Sequence, residues 1–428
     1  MAYTEPNHSM KKQIALFLST AGLLHAGAPE MDTTLTAKAD PWIKPIADIR
    51  ARYEFGDTDG LDTSNALTFR ERVGLKTKAW NGFSALIEGE FTQVLVDDYN
   101  ANAGPTADPY DPATTVISDP ETNELNQAYL QYEGFTTTFK AGRQRIIYDN
   151  AAFIGNVGWR QNEQTYDAFS IVNKSIDGLT LSYAYINQVN RIFGSEADSP
   201  ITLAKPLFGN VQYLNSDIHL FNASYTGIKG VTLGAYAYIM NFEDFSVFDN
   251  NTFGISAKGN VAGLTLYGEL AFQDEAGLLG DGEAAYYHAT ATKTFGPQSV
   301  TLGLEHLDAG FKTPLATVHA FNGFADVTDA ARLNGSHNGL TDLYLTHTVP
   351  IFCGIKWMNA LHAFGDDEIS TGYGWEFDSV LTKKFNDNFT AIAKFAQFET
   401  NGDPYTGGAT GKVLPTTQRV SVEVDYTF

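Results

Sequence analysis

The last ten residues of the chain alternate without a break. Val420, Val422, Val424, Tyr426 and Phe428 fall on one side, and Arg419, Ser421, Glu423, Asp425 and Thr427 on the other. A period of two is that of a β-strand, whose successive side chains point to opposite faces. A row of charges turned toward a soluble core would be costly, whereas a water-filled lumen accepts it. The segment Pro45 to Phe55 repeats the pattern. Ala47, Ile49, Ala51, Tyr53 and Phe55 share one face; Asp48, Arg50, Arg52 and Glu54 share the other. Beyond residue 28 no run approaches the ~18 apolar residues of a membrane helix. A chain of this kind enters a bilayer only as a closed barrel, in which every backbone group finds a partner.

The N-terminus points to export. Lys11 and Lys12 precede the apolar run Ile14–Leu24, which is followed by Ala26, Gly27 and Ala28. This is the order of a secretory signal peptide. The expected organisation is therefore an N-terminal extension and signal peptide over 1–28, a short periplasmic lead over 29–44, and a barrel over 45–428.

Strand number follows from the punctuation. Gly82, Gly134, Gly178, Gly230 and Gly263 each open an alternating segment, such as Phe83, Ala85, Ile87, Gly89 and Phe91. Glycine there supplies the positive φ of a tight hairpin. Phe295-Gly296-Pro297, Pro350–Gly354 and Asn386–Asn388 extend the series to eight tight turns. Between them lie nine other connections, over 56–65, 93–123, 146–164, 190–215, 243–250, 273–283, 308–340, 364–371 and 399–416. Eight turns and nine loops imply 18 antiparallel strands, an all-β transmembrane barrel with short periplasmic turns and long extracellular loops. The faces of 124–133, 165–174 and 216–226 are mixed and leave their registers open. Aromatics at 13% gather near segment ends, where the girdles of a membrane barrel lie.

Residues 138–172 read TFKAGRQRIIYDNAAFIGNVGWRQNEQTYDAFSIV. The Gly-Arg-Gln, Trp-Arg-Gln and Thr-Tyr-Asp-Ala elements resemble the alginate-export family of outer-membrane porins, as do the opening segments ADIRARYEFGD and TFRERVGLKTKA. The likeness covers roughly 45–190. It implies a monomeric 18-stranded barrel whose Arg-lined lumen passes an anionic polysaccharide such as a polyuronate.

Seven of the ten arginines lie between residues 50 and 160. Arg50 and Arg52 share the polar face of the first strand. Arg70, Arg72, Lys76 and Lys78 share that of the second, with Glu71 misplaced on the apolar side. Lys140, Arg143, Arg145 and Arg160 come from the resembling stretch. Guanidinium groups hold carboxylates bidentately, so this concentration suggests an anion path. The alternative is that Asp48, Glu54, Glu88 and Glu90 pair with them and brace the wall. Tyr236, Tyr238 and Tyr267 fall on polar faces and are candidates to stack on sugar rings or to pack the lumen. Asp97, Asp98, Asp108, Asp111 and Asp119 are read as solvated loop residues in preference to a Ca²⁺ site, and Asp57-Thr58-Asp59-Gly60 misses the EF-hand spacing.

With 28 Lys+Arg against 50 Asp+Glu and a net charge of −22, nucleic acid is not an expected partner. Hydrolase, metalloprotease, Walker and dinucleotide fingerprints are lacking, and the histidines are scattered singly, so neither an enzyme nor a cofactor nor a metal centre is expected. The expected partners are a hydrophilic anionic carbohydrate, outer-membrane lipid of a Gram-negative-type bacterium, and the barrel-assembly machinery acting on the strand that ends in Phe428. Two other functions fit the same fold: a substrate-selective uptake porin for oligosaccharides or small anions such as phosphate, and a structural or adhesive barrel.

Overall fold

The computed structural model describes residues 41–104, 108–195, 197, 211–243, 245–276, 282–336, 338–402, 404–405 and 412–428. The expected signal peptide, the extension before it and the lead up to residue 40 lie outside them.

The alternating segments form long strands. They are β1 (Ile43–Thr58), β2 (Ser64–Thr77), β3 (Phe83–Asp98), β4 (Thr122–Gly134), β5 (Thr137–Gln144), β6 (Thr165–Ile176), β7 (Leu179–Asn190), β8 (Tyr213–Tyr225) and β9 (Val231–Phe242). The second half holds β10 (Asn250–Val261), β11 (Leu264–Ala276), β12 (Gly282–Phe295), β13 (Gln298–Leu307), β14 (Leu340–Pro350), β15 (Ile355–Gly365), β16 (Gly372–Lys384) and β17 (Phe389–Thr400). A two-residue hairpin, β18 (Pro404–Tyr405) with β19 (Lys412–Val413), precedes β20 (Thr417–Thr427). The eighteen longer strands make one antiparallel sheet. β1 pairs with β2 on one edge and with β20 on the other, so the sheet closes on itself. Strand number and the alternation of tight turns with other connections agree with the sequence reading. The β1–β2 connection is shorter than expected, because both strands run on to Thr58 and Ser64.

The outer wall is apolar. Leu67, Val73 and Leu75 of β2, Leu302 and Leu304 of β13 and Val422 and Val424 of β20 all point away from the lumen, and most are well exposed. At the turn rim this wall carries a belt of exposed aromatics, among them Trp42, Trp80, Phe135, Phe352 and Phe428. An apolar band with an aromatic girdle is the surface of an outer-membrane barrel. No helix among the described residues is long and apolar enough to cross a membrane; the strands make the crossing.

The hydrophobic core lies inside the barrel. Loops fold inward from the long-loop rim: Phe153 and Ile154 from 145–164, Phe245 and Phe248 from 243–249, and Phe311 and Leu315 from 308–339. They pack against the inward residues Tyr236 and Tyr238 of β9 and Tyr286 of β12. The Phe153 ring lies 5.3 Å from Tyr236, 5.1 Å from Tyr286 and 5.9 Å from Phe311. Bulges explain the segments whose faces could not be read. One lies opposite Glu88 and Gly89 of β3, where the pairing steps from Gln127 to Leu125 on β4; Asn126 and Gln127 are both buried. Others break the β6–β7 and β7–β8 registers. An extra residue reverses parity, so alternation fails across it.

Candidate functional site

Alternation turns Asp48, Arg50, Arg52 and Glu54 of β1 into the lumen, with Arg70 and Arg72 of β2, Glu88 and Glu90 of β3, and Arg419, Glu423 and Asp425 of β20. Register then builds the cluster. Arg50 stands opposite Arg70 on one side and Asp425 on the other, Arg52 opposite Glu423, and Arg72 opposite both Asp48 and Glu90. Arg50 Nε donates to Asp425 Oδ1 at 2.7 Å, and Arg52 Nη2 lies 2.7 Å from Glu423 Oε2. Arg70 pairs with Asp48, and Arg72 pairs with Glu90.

Loop 145–164 lies on this surface. The carbonyl oxygens of Gly158, Trp159 and Arg160 accept from Arg50 Nη1 at 3.1–3.2 Å. The carbonyl of Gln161 accepts from Arg72 at 3.3 Å, and the Gln161 side chain donates to Thr68 at 2.7 Å. Arg160 reaches Glu54 at 3.1 Å and Asp326 of loop 308–339 at 3.2 Å. Asp119, from the β3–β4 connection, accepts from the Gln161 backbone at 2.8 Å and lies 3.3 Å from Arg52. Asp119 is fully buried, so it is no solvated loop residue as the sequence suggested. Three loops thus converge on one wall, tied by charged groups that are themselves out of water. Such pairs hold a register firmly because a lone buried charge is so costly.

Trp159 joins loop 145–164 to loop 308–339 over the wall formed by β17, β20 and β1. Its ring stacks on His319 at 3.7 Å and 12°, its Nε1 donates to Thr317 O at 2.8 Å, and the Arg160 guanidinium lies 4.1 Å above it. His319 lies 2.7 Å from Asp326 through Nδ1, while its Nε2 lies 3.0 Å from Lys394 Nζ. Lysine only donates, so Nε2 is the acceptor and the ring is neutral with Nδ1 protonated. Burial, reinforced by Lys394, pushes His319 down to about 4.

On the long-loop side of Trp159 lies a cavity of ≈ 400 Å³, lined by Arg160, Arg191 and Arg419, by Asp326 and Asp329, and by apolar groups including Phe193 and Phe248. Arg191, just beyond β7, is buried, and its Nη1 has no hydrogen-bond partner among the described residues. Its guanidinium lies 5.9 Å from the Phe193 ring. Burial pushes it down to about 10, so it is charged at neutral pH.

The candidate residues therefore divide. Arg50, Arg52, Arg70, Arg72 and Arg160 come together, with Arg145 at their edge, 3.0 Å from Glu88. Arg143 does not join them. It sits on the outer wall with Phe169 and pairs with Asp167 at 2.6 Å, because β5 parity carries Gln144, not Arg143, inward. Lys76 and Lys140 lie low in the barrel, near the turn rim, with Lys140 4.7 Å from the Tyr129 ring. Tyr236 and Tyr238 face inward but are closed over by Phe153 and Tyr148, so a sugar ring has no access to them. Tyr267 donates to Glu269 at 2.6 Å. Sequence reasoning missed Arg191, Arg419, Asp326 and His319 as site residues; only Arg419 carried a signal, its place on the polar face of the last strand.

No protein-family model matches the chain, and no curated protein matches it. Solved structures do. Pseudomonas aeruginosa OpdQ aligns with a TM-score of 0.65 at 14% identity, covering 90% of this chain and 98% of that one. Acinetobacter baumannii OccAB4 aligns with a TM-score of 0.66 at 12% identity, covering 92% and 100%. Pseudomonas aeruginosa OpdK with vanillate aligns at 0.62 and 12%, covering 90% and 98%. The likeness is one of fold. It gives this chain the closed antiparallel barrel of those outer-membrane proteins and lends no support to the narrower resemblance to alginate-export proteins.

Proposed function

We propose that this barrel is a substrate-selective uptake porin for small anionic solutes, in preference to a path for a polyuronate. The cavity of ≈ 400 Å³ above Trp159 carries the reading. Loops tied across the lumen leave room there for a small molecule and not for a polymer in transit. Among the described residues no carboxylate pairs with the Arg191 guanidinium, whose Nη1 is left without a hydrogen-bond partner next to the apolar faces of Phe193 and Phe248. A carboxylate on a compact apolar body suits that pairing. The structure of OpdK with vanillate, a small aromatic carboxylate, adds weight by analogy of fold.

The test is solute-induced current noise in planar bilayers containing the purified protein. Benzoate is expected to interrupt the current in a saturable way, and a uronate hexamer to leave it undisturbed. Arg191→Gln should raise the half-saturating benzoate concentration about tenfold, equivalent to ~1.4 kcal/mol. Equal interruption by the hexamer, or an Arg191→Gln pore that binds benzoate as the wild type does, would defeat the proposal.

A further inference from the structure

The net charge of −22 is not spread evenly along the barrel axis. Lys44 of β1, Lys76 of β2, Lys140 of β5, Lys258 of β10, Lys356 of β15 and Lys384 of β16 all lie near the turn ends of their strands. Parity points each into the lumen. Lys76 continues the face of Arg70 and Arg72, Lys356 that of Ala360 and His362, and Lys384 that of Glu376 and Asp378. All but Lys140 are exposed to water. Lys76, Lys258 and Lys356 have no ion-pair partner among the described residues. Lys384 has a neighbour in Asp387 at 3.1 Å, on an exposed turn.

The mid-barrel arginines differ. Each of Arg50, Arg52, Arg72 and Arg160 faces at least one carboxylate within 3.3 Å or closer, and together they hold a loop in place. A closed pair presents a dipole whose field falls off quickly, while an unpaired ammonium presents a full charge. Between the lysines of β10 and β15 the lumen wall carries neutral hydroxyls, including Thr292, Thr301, Thr346 and Thr348, while on β4 the exposed Glu133 stands two residues from Gln131, the cross-strand partner of Lys140. The acidic loops cannot cancel the lysines from the far rim. A strand of 11 residues such as β15 puts them roughly 25–35 Å away, several Debye lengths of ~8 Å.

We propose that this lysine collar is an anion-binding site at the periplasmic mouth, taking small inorganic and carboxylate anions, and that it sets the charge preference of the channel independently of the arginine cluster. The inference rests on reading the chain as a pore for small anions. The collar concentrates anions where the lumen meets the periplasm, and the vestibule above Trp159 selects among them by shape.

The experiment is the reversal potential of single pores in a KCl gradient, wild type against the triple variant K76Q/K258Q/K356Q. The triple variant is expected to lower the chloride-to-potassium permeability ratio by a factor of about 3, as three screened lumen charges are lost. Lys293→Gln is the control: its side chain lies at the same rim but on the outer parity of β12, and the ratio should not move. Migration as a heat-modifiable band shows that each barrel has formed. If the triple variant fails that check, K76Q and K356Q singly carry the comparison, since both sites are exposed. A ratio unchanged by the lysine substitutions overturns the collar, whatever the wild-type preference. A cation-preferring wild type whose preference deepens in the triple variant keeps the collar and defeats the anionic reading of the vestibule instead.

Discussion

At the scale of single residues, the arginines serve structure more than passage. Arg160 is the clearest case, since it ties β1 through Glu54 to loop 308–339 through Asp326. Removing one partner of a buried pair typically costs about 3–5 kcal/mol. Arg419 still faces Glu54 at 3.3 Å, so the loss from Arg160→Ala should fall at the low end. That loss acts on loop docking and not on the wall. Arg160→Ala should therefore give larger, noisier single-channel currents with unaltered heat-modifiable migration; wild-type conductance would show that the pairing does not hold the loop. His319 carries a pH dependence of definite sign. It is held down to about 4 by burial, against about 6.5 when released into water. Between these values the released loop binds the extra proton, so docking is complete above pH ~6.5 and weakens as pH falls toward ~4. The change is at most about 3 kcal/mol. Hydrogen exchange of residues 311–319 should quicken across that window and lose the dependence in His319→Gln. The sequence made the inward direction of Arg50, Arg52, Arg70 and Arg72 legible, because parity alone fixes it. It could not show that Asp119 and Asp326 arrive from loops with no period at all.

Among the elements, the tight turns separate conformation from space. Gly82 has φ +87° and Gly230 φ +76°, both left-handed. A Cβ on Gly82 would meet the backbone oxygen of Glu133 at 2.5 Å, whereas one on Gly230 would meet nothing within 4 Å. Gly230→Ala thus pays only for the backbone, about 1 kcal/mol. Gly82→Ala adds a clash with a neighbouring hairpin whose Glu133 amide donates to Gly82 O at 2.8 Å. Urea unfolding from micelles should show Gly82→Ala the more destabilised by at least ~1 kcal/mol. Equal losses would mean that the β4–β5 hairpin yields freely. Strand positions were legible wherever alternation ran unbroken, as in β1, β2 and β20. They were illegible at β4, β6 and β8, where one inserted residue inverts the faces and leaves no compositional mark.

For the whole molecule, the sequence carried the class of fold and its strand number, because a barrel wall must be apolar outside and can be charged inside. It did not carry cargo, since that depends on loops folding back into a lumen whose walls alone were readable. Orientation is open to direct test. Protease added outside intact cells should cut within the exposed parts of the long loops and spare the turns at Gly82, Gly134, Gly178, Gly230 and Gly263; the opposite pattern would invert the barrel. The seam between β1 and β20 has a further consequence. It joins residues as distant as Arg50 and Asp425, 375 positions apart, so the ring cannot shut until the final strand has been delivered. Until then β1 and β17 each hold out a row of unanswered amides and carbonyls, and unpaired edges of that length invite other chains. A chain stopped before Thr417 is thus not a narrower pore but an open ribbon with two adhesive margins. The eleven residues of β20 decide between a membrane protein and an aggregate.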